Sequence, residues 1–130
     1  MSFNDPIAEL LTKIRNAKGA QHRYVDLGYS KIKIRILEIM KTNGFVENFL
    51  VNEKERKIRI FLRYNRDREA VVRGLERKSK SGLRRYVGYR DIPRVFNGMG
   101  VAILSTPKGV LDGETARNLK VGGEILCTVW

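Results

Sequence analysis

The stretch "VAILSTPKGV" places three reactive polar side chains directly after a short apolar run: Ser105, Thr106 and Lys108. The proline and glycine among them are typical of a tight turn. Two hydroxyls and an ammonium held on a rigid turn suit the binding of sugar hydroxyls, phosphates and base edges. The motif is not a phosphate-binding P-loop, because Lys108 precedes Gly109 instead of following it. A catalytic pair of Ser105 and Lys108 is the alternative, but the sequence specifies no base, metal or second carboxylate beside it.

A second stretch, "RKSKSGLRRYVGYR" (residues 77–90), contains six cations, two tyrosines and no acidic residue. Arginine beside an exposed aromatic ring suits RNA, where phosphates pair with guanidinium groups and unstacked bases lie on rings. In a strand, Arg84 and Tyr86 would share one face while Arg85 points to the other. We interpret the stretch as a nucleic-acid-binding patch, and the alternative is a solvated charged face.

The charge of the chain favours a polyanion as its partner. The 130 residues include 26 Lys and Arg against 14 Asp and Glu, a net charge of +12. Such a field attracts nucleic acids above all, although excess charge can also serve solubility alone. Residues 1–65 and 66–130 each hold 13 basic and 7 acidic residues, so both halves could face one polyanion.

Residue counts exclude several classes of protein. No apolar run approaches the ~18 residues of a membrane span, and the N-terminal segment lacks the apolar centre of a signal peptide. Cys127 and His22 are the only residues of their types, which excludes an internal disulfide and a zinc site of four Cys or His ligands. From these counts we expect a soluble protein that stays where it is made, in the cytoplasm, and does not span a membrane. Because no base or metal is specified beside Ser105 and Lys108, we also expect a protein that is not an enzyme and uses no cofactor, metal or small-molecule substrate.

Hydrophobic periodicity predicts helix, strand, helix, strand, strand in the N-terminal half. In the first helix Asp5 is the N-cap, a proline follows it, and Gly19 is the end. Its apolar residues form one stripe: Ile7, Leu10, Leu11 and Ile14. "YSKIKIRILEIMKTNG" starts with the alternation of a strand, but Ser30 as cap and Gly44 as stop favour a helix. A strand over residues 23–27 and a hairpin of "FVENFLV" with "KIRIFLR" complete this module.

The C-terminal half is predicted to be mainly antiparallel sheet. "AVVRGLER", "LRRYVGY", "VAILS" and "EILCTVW" are β-prone runs separated by turn residues. One short helix fits near residues 114–120, with Asp112 as its cap. The polar segment "YNRDRE" is the best boundary, which gives an N-terminal module, 1–64, and a C-terminal module, 65–130. The fold class is therefore α+β with two small modules.

These pieces together resemble the bacterial small-subunit ribosomal protein S8 family. The resemblance covers essentially the whole chain, in order and at matching spacing. It is carried by "DPIAELLTKIRNA", "SKIKIRILEIMKTNGF", "GLRRYV", "IPRV" and "GVAILSTPKGVL…AR…GGEILCTVW".

The resemblance implies a structural protein that binds ribosomal RNA (rRNA) directly. Family members dock on a bulged helix in the central domain of the small-subunit rRNA, adjoin neighbouring small-subunit proteins and support assembly of the subunit platform. Some also bind a mimic in their own operon mRNA and repress translation. The implied main reader is the loop 105–109 of a C-terminal RNA-binding module. The residues matched to RNA contacts, with Arg84 from the basic patch, are Ser105, Thr106, Lys108, Gly109, Tyr86, Arg84, Gly123, Glu124, Arg15, Lys31 and Lys33.

The chain departs from the family pattern at two positions. Pro107 stands where the family usually has a small polar residue, which removes one side-chain hydrogen bond and stiffens the loop. Gly113 in the first turn of the short helix weakens that helix by up to ~1 kcal/mol relative to alanine. The alternative function is a general RNA- or DNA-binding chaperone or repressor outside the ribosome. A binder of heparin-like or anionic membrane surfaces is a further alternative.

Overall fold

The first helix begins at the residue that its capping signal predicts. In the computed structural model, which describes residues 5–130, helix α1 spans Pro6–Gly19. Asp5 Oδ1 accepts the backbone N–H groups of Ile7 (3.1 Å) and Ala8 (3.2 Å), which satisfies two donors that have no partner within the helix. The predicted apolar stripe of α1 is buried, so the helix prediction is confirmed.

The ambiguous second segment is also a helix, α2, which spans Lys31–Thr42. Ser30 stands at the N-cap position, but its side chain makes no capping hydrogen bond. Gly44 has a φ of +78°, and the N–H of Phe45 donates to Met40 O (2.8 Å), which ends the helix in the way typical of a glycine. The glycine stop therefore supports the helix over the alternating start, whereas Ser30 contributes no side-chain cap.

The N-terminal sheet has three antiparallel strands: β1 (Tyr24–Gly28), β2 (Val46–Asn52) and β3 (Lys57–Leu62). Their order is β1-β3-β2, so the predicted hairpin of β2 and β3 is confirmed and β1 pairs with the far edge of β3. Ile58 and Ile60 of β3 are fully buried, and α1 packs on β1 while α2 packs on β2. Two helices therefore cover one face of this sheet.

The chain divides into an N-terminal unit that ends at Arg73 and a C-terminal unit, Gly74–Trp130. This division lies later than the predicted boundary after residue 64. The intervening segment stays with the N-terminal unit because the Tyr64 hydroxyl donates to His22 O (2.6 Å) and Val71 N–H donates to Arg63 O (2.8 Å).

The C-terminal unit is a sheet of five antiparallel strands with one short helix. The strands are β4 (Leu75–Arg77), β5 (Tyr86–Val87), β6 (Val101–Thr106), β7 (Gly109–Asp112) and β8 (Gly123–Val129). Their order is β4-β8-β6-β7, and β5 also pairs with β8. The α+β class and the mainly β character of the C-terminal half are confirmed.

Two details of the C-terminal half differ from the sequence-based expectation. "AVVRGLER" and "LRRYVGY" contribute strands of only three and two residues, because β4 and β5 share the same edge of β8 and pair with opposite ends of it. The sequence also did not indicate β7 or the two 3₁₀ turns, Tyr89–Asp91 and Val95–Gly98. All three are nevertheless local: β7 pairs with β6 across a two-residue turn, and the 3₁₀ turns are closed by hydrogen bonds such as Asp91 N–H to Gly88 O and Met99 N–H to Phe96 O.

The predicted short helix, α3, spans Gly113–Asn118. The side chain of Asp112 caps it by accepting Thr115 N–H (3.2 Å), as predicted. A Cβ added to Gly113 would lie 3.0 Å from Ile92 Cγ2, so close packing offsets what alanine would gain in helix propensity. Ala116 of this helix belongs to a buried apolar cluster, together with Ile92, Ala102, Leu104 and Ile125.

Candidate nucleic-acid interface

The turn singled out in the sequence is the tip of a hairpin that joins β6 to β7. Thr106 pairs with Gly109, and Pro107 and Lys108 are the two exposed central residues. The Thr106 hydroxyl donates to Gly109 O (2.8 Å) and accepts the N–H of Lys108 (3.1 Å). Its proton is therefore used within the turn, and the oxygen can offer a ligand only a remaining lone pair. Gly109 has a φ of +116°, a conformation that L side chains rarely adopt.

Three predicted site residues form one row across three strands. Ser105 of β6 and Tyr86 of β5 lie directly opposite Glu124 of β8, on its two sides. Directly opposite residues of antiparallel strands share a face of the sheet, so their side chains are neighbours. Tyr86 is 69% exposed, which leaves its ring accessible for stacking.

Glu124 is the centre of a hydrogen-bond network that the sequence did not reveal. Its Oε2 accepts from Ser79 Oγ (2.5 Å) and from Arg84 Nη1 (2.9 Å). The buried Ser79 hydroxyl also accepts the N–H of Arg85 (3.2 Å), so it ties the segment before β5 to β8. Burial alone would raise the pKa of Glu124, but these hydrogen bonds and the charges of Arg84 and Arg77 outweigh it and hold the pKa below its usual value.

We expect Glu124 to make the stability of the protein depend on acid pH. Because its pKa is lower in the folded chain, its contribution is fully present above its ordinary pKa of 4.5 and is lost as the pH falls through the folded value. In Glu124→Gln the free energy of unfolding should therefore fall less steeply as the pH drops below 4.5. Urea unfolding at a series of pH values measures this. The exposed Glu114→Gln should keep the wild-type decline. An equally steep decline in Glu124→Gln would contradict this role.

Two successive glycines let β8 begin beside its neighbours. A Cβ on Gly123 would lie 2.0 Å from Ser105 O, and one on Gly122 would lie 2.2 Å from Val87 O. Real Cβ atoms essentially never approach backbone so closely, so both positions exclude a side chain. Because neither glycine carries a side chain, β8 can pair closely with β5 and β6, which places Glu124 directly opposite Ser105 and Tyr86.

The basic stretch 77–90 has counter-charges that its sequence does not show. Glu124 pairs with Arg84 (2.9 Å), and Glu76 pairs with Lys78 (3.1 Å). Arg84 and Lys78 therefore have carboxylate partners that come from outside the stretch. Lys80 and Arg85 are exposed, so the stretch still offers cations to solvent.

In the N-terminal unit the three predicted phosphate contacts differ in exposure. Arg15 and Lys31 are exposed. Lys33 is only 3% exposed, and its ammonium donates to Glu9 Oε1 (2.6 Å) and to Gly28 O (3.0 Å). Its position corrects the expectation that it contacts phosphate, because a buried and paired ammonium is not available to a ligand.

We predict that Lys33→Ala lowers the free energy of unfolding by about 2 kcal/mol, because the half-buried Glu9 carboxylate loses its partner. The RNA affinity of the folded variant should stay unchanged. Lys31→Ala is the matched control and should give the reverse pattern, with unchanged stability and weaker RNA binding. Urea unfolding and RNA titration measure both. Unchanged stability in Lys33→Ala would contradict the structural role of the ion pair.

Within the part of the chain that the structure describes, no group of three His, Cys, Asp or Glu residues is arranged to hold a metal ion. Among the same residues, no helix is long and apolar enough to cross a membrane.

The fold and this surface define a small basic protein of two α+β units. The sequence profile described as "Ribosomal protein S8" matches residues 5–130. The chain belongs to the ribosomal protein S8 family.

Full-length relatives support this assignment. The chain is 50% identical over 133 residues to "Small ribosomal subunit protein uS8" of Protochlamydia amoebophila (strain UWE25), with 100% of both chains covered. It is 52% identical over 132 residues to the protein of the same name from Anaeromyxobacter sp. (strain K), again with 100% of both covered. It is 54% identical over 129 residues to that of Chlamydia trachomatis serovar D, with 98% of this chain and 97% of the relative covered.

Proposed function

We propose that this chain is a structural rRNA-binding protein of the small ribosomal subunit in the cytoplasm. Its target is a bulged helix in the central domain of the small-subunit rRNA, and its binding supports assembly of the platform next to neighbouring small-subunit proteins. Where translational autoregulation operates, the same surface binds a mimic of this helix in the chain's own operon mRNA. The function involves no catalytic step and no cofactor.

The observation that carries the proposal is one continuous face at the start of β8. Ser105, Glu124 and Tyr86 lie side by side there, and the exposed turn tip with Lys108 follows Ser105 directly. Membership of the S8 family supports the ribosomal assignment.

The chemistry of this face fits the shallow minor groove and unstacked bases of an irregular RNA helix. Thr106 Oγ1 and Glu124 Oε1, the carboxylate oxygen that Ser79 and Arg84 do not use, are acceptors for 2′-hydroxyl or base amino donors, whereas the Tyr86 ring is a stacking surface. Lys108 supplies a phosphate contact that positions the turn. In the N-terminal unit, Arg15 and Lys31 add phosphate contacts, which strengthen binding but carry no sequence information.

A titration with three ligands across a salt series tests the proposal. The ligands are the bulged central-domain RNA helix, the same helix with its bulge fully paired, and duplex DNA. We expect a strong preference for the bulged helix that persists as salt rises, since base and shape contacts depend less on counterion release than phosphate contacts do. Equal, steeply salt-sensitive binding to all three would instead favour a general RNA- or DNA-binding protein outside the ribosome.

A further inference from the structure

The loop between β4 and β5 places one polar side chain in the interior. Ser79 is fully buried, whereas its neighbours Lys80 and Ser81 are exposed. The loop doubles back directly after it, where Lys80 and Leu83 exchange two backbone hydrogen bonds (3.1 and 3.0 Å). Because a buried hydroxyl costs free energy unless it is hydrogen-bonded, the partners of Ser79 indicate what its position serves.

The Ser79 hydroxyl is used both as a donor and as an acceptor. It donates to Glu124 Oε2 (2.5 Å) and accepts the N–H of Arg85 (3.2 Å). On either side of it, single backbone hydrogen bonds join Lys78 (3.1 Å) and Arg85 (3.0 Å) to β8. The main chain that carries Ser79 is therefore fixed to the strand that carries Glu124.

Ser79 and Arg84 share the same carboxylate oxygen but constrain it differently. The Arg84 side chain is 49% exposed and reaches Oε2 of Glu124 (2.9 Å) at the end of a long chain with many rotamers. Such a guanidinium neutralises the carboxylate, but it does not fix the orientation of its partner. The Ser79 side chain is short and buried, so it is the donor that sets how the carboxylate is turned.

This orientation leaves one carboxylate oxygen for a ligand. Neither Ser79 nor Arg84 uses Glu124 Oε1. Among the residues that the structure describes, no buried side-chain oxygen lacks a hydrogen-bond partner, so Oε1, which has none there, reaches the surface. The Glu124 side chain as a whole is only 17% exposed. A carboxylate held in this way is a directional acceptor with one accessible oxygen.

We propose that Ser79 is a positioning residue for RNA recognition. It holds the Glu124 carboxylate so that Oε1 faces a hydrogen-bond donor of the RNA, a 2′-hydroxyl or a base amino group, while Ser79 itself stays buried. An acceptor that is already ordered loses less conformational freedom when the RNA binds. The inference rests on the proposed function and deepens it, because it assigns part of the preference for the bulged helix to a residue that does not touch RNA.

Alanine variants test this role through the ratio of the Kd values for the paired and the bulged central-domain helix. Ser79→Ala should lower this preference roughly tenfold, as the loss of one well-placed hydrogen bond to a charged group should. Ser81→Ala is the matched control, since the exposed Ser81 lies in the same loop, and it should keep the preference within about twofold. An unchanged preference in Ser79→Ala would overturn the proposal. A wild type without any preference would instead refute the proposed function.

A double-mutant cycle with Glu124→Ala separates positioning from a purely structural role. If Ser79 acts through the carboxylate, Ser79→Ala should change the preference by less than about twofold once Glu124 is alanine. The turn with Lys108 should keep part of the preference in that background, so a further loss can be measured. A tenfold loss in both backgrounds would mean that Ser79 only ties the loop to β8, which would overturn the proposal. A reduced folded fraction weakens binding to both helices equally and cancels in the ratio.

Discussion

Replacing Thr106 and Lys108 together by alanine is expected to weaken binding to the bulged rRNA helix by about 3 kcal/mol, or roughly 150-fold in Kd. The two changes act differently. Loss of the Thr106 hydroxyl removes its two hydrogen bonds within the turn, at 2.8 and 3.1 Å, although the backbone pairing of Thr106 with Gly109 remains. Loss of the Lys108 ammonium removes an exposed cation, which should reduce the salt dependence of binding by about one phosphate contact. Titration of both single variants and the double variant across a salt series measures each part.

The controls separate turn geometry from charge. Thr106→Ser keeps the hydroxyl and should retain most of the affinity, whereas Thr106→Ala should lower it without changing the salt slope. Lys120→Ala removes an exposed cation of the same unit outside the proposed interface and should have little effect on the preference for the bulged helix. If the double variant kept its cognate affinity within about twofold, or ~0.4 kcal/mol, the turn would not be the main RNA reader. The stability of the folded chain should change little, because the turn is exposed.

Features with local signals could be predicted from the sequence. The cap and apolar stripe of α1, the glycine stop of α2 and the tight turn at Pro107 each depend on residues within a few positions of one another. Strand lengths in the C-terminal unit were overestimated, because β4 and β5 are limited by how much of β8 each can pair with. Pairing across tens of residues leaves no trace in local composition.

The site shows the same division between local and distant signals. The turn residues could be recognised, but nothing in "KSKSG" distinguishes Ser79, which is buried on Glu124, from its exposed neighbour Ser81. For Lys33 a signal did exist. It lies three, four and seven residues before Ile36, Leu37 and Met40, which form the buried stripe of α2, so its helical position predicts burial. As a lysine, Lys33 was expected to bind phosphate, but its burial and its ion pair with Glu9 make it a structural residue.

The second large effect concerns the close approach of β8 to β6. We expect Gly123→Ala to lower the free energy of unfolding by about 3 kcal/mol, because the added Cβ would lie 2.0 Å from Ser105 O and 3.1 Å from Thr106 Cα. Both contacts are with backbone, which cannot yield as the end of a flexible side chain can. β8 pairs with β4, β5 and β6, so a shift at its start disturbs the centre of the sheet. Urea unfolding of the variant measures this loss.

Gly88→Ala is the matched control, because a Cβ at Gly88 meets nothing within 4 Å and its φ of −75° suits any residue. That variant should stay within about 0.5 kcal/mol of the wild type. If Gly123→Ala were as stable as Gly88→Ala, the described approach of the strands would be incorrect. Under conditions where Gly123→Ala is folded, RNA binding should still be weakened, since the shift moves Glu124 out of line with Ser105 and Tyr86. The Thr106 and Lys108 changes should reduce binding alone, so together the two sets of variants separate the groups proposed to contact RNA from the backbone that aligns them.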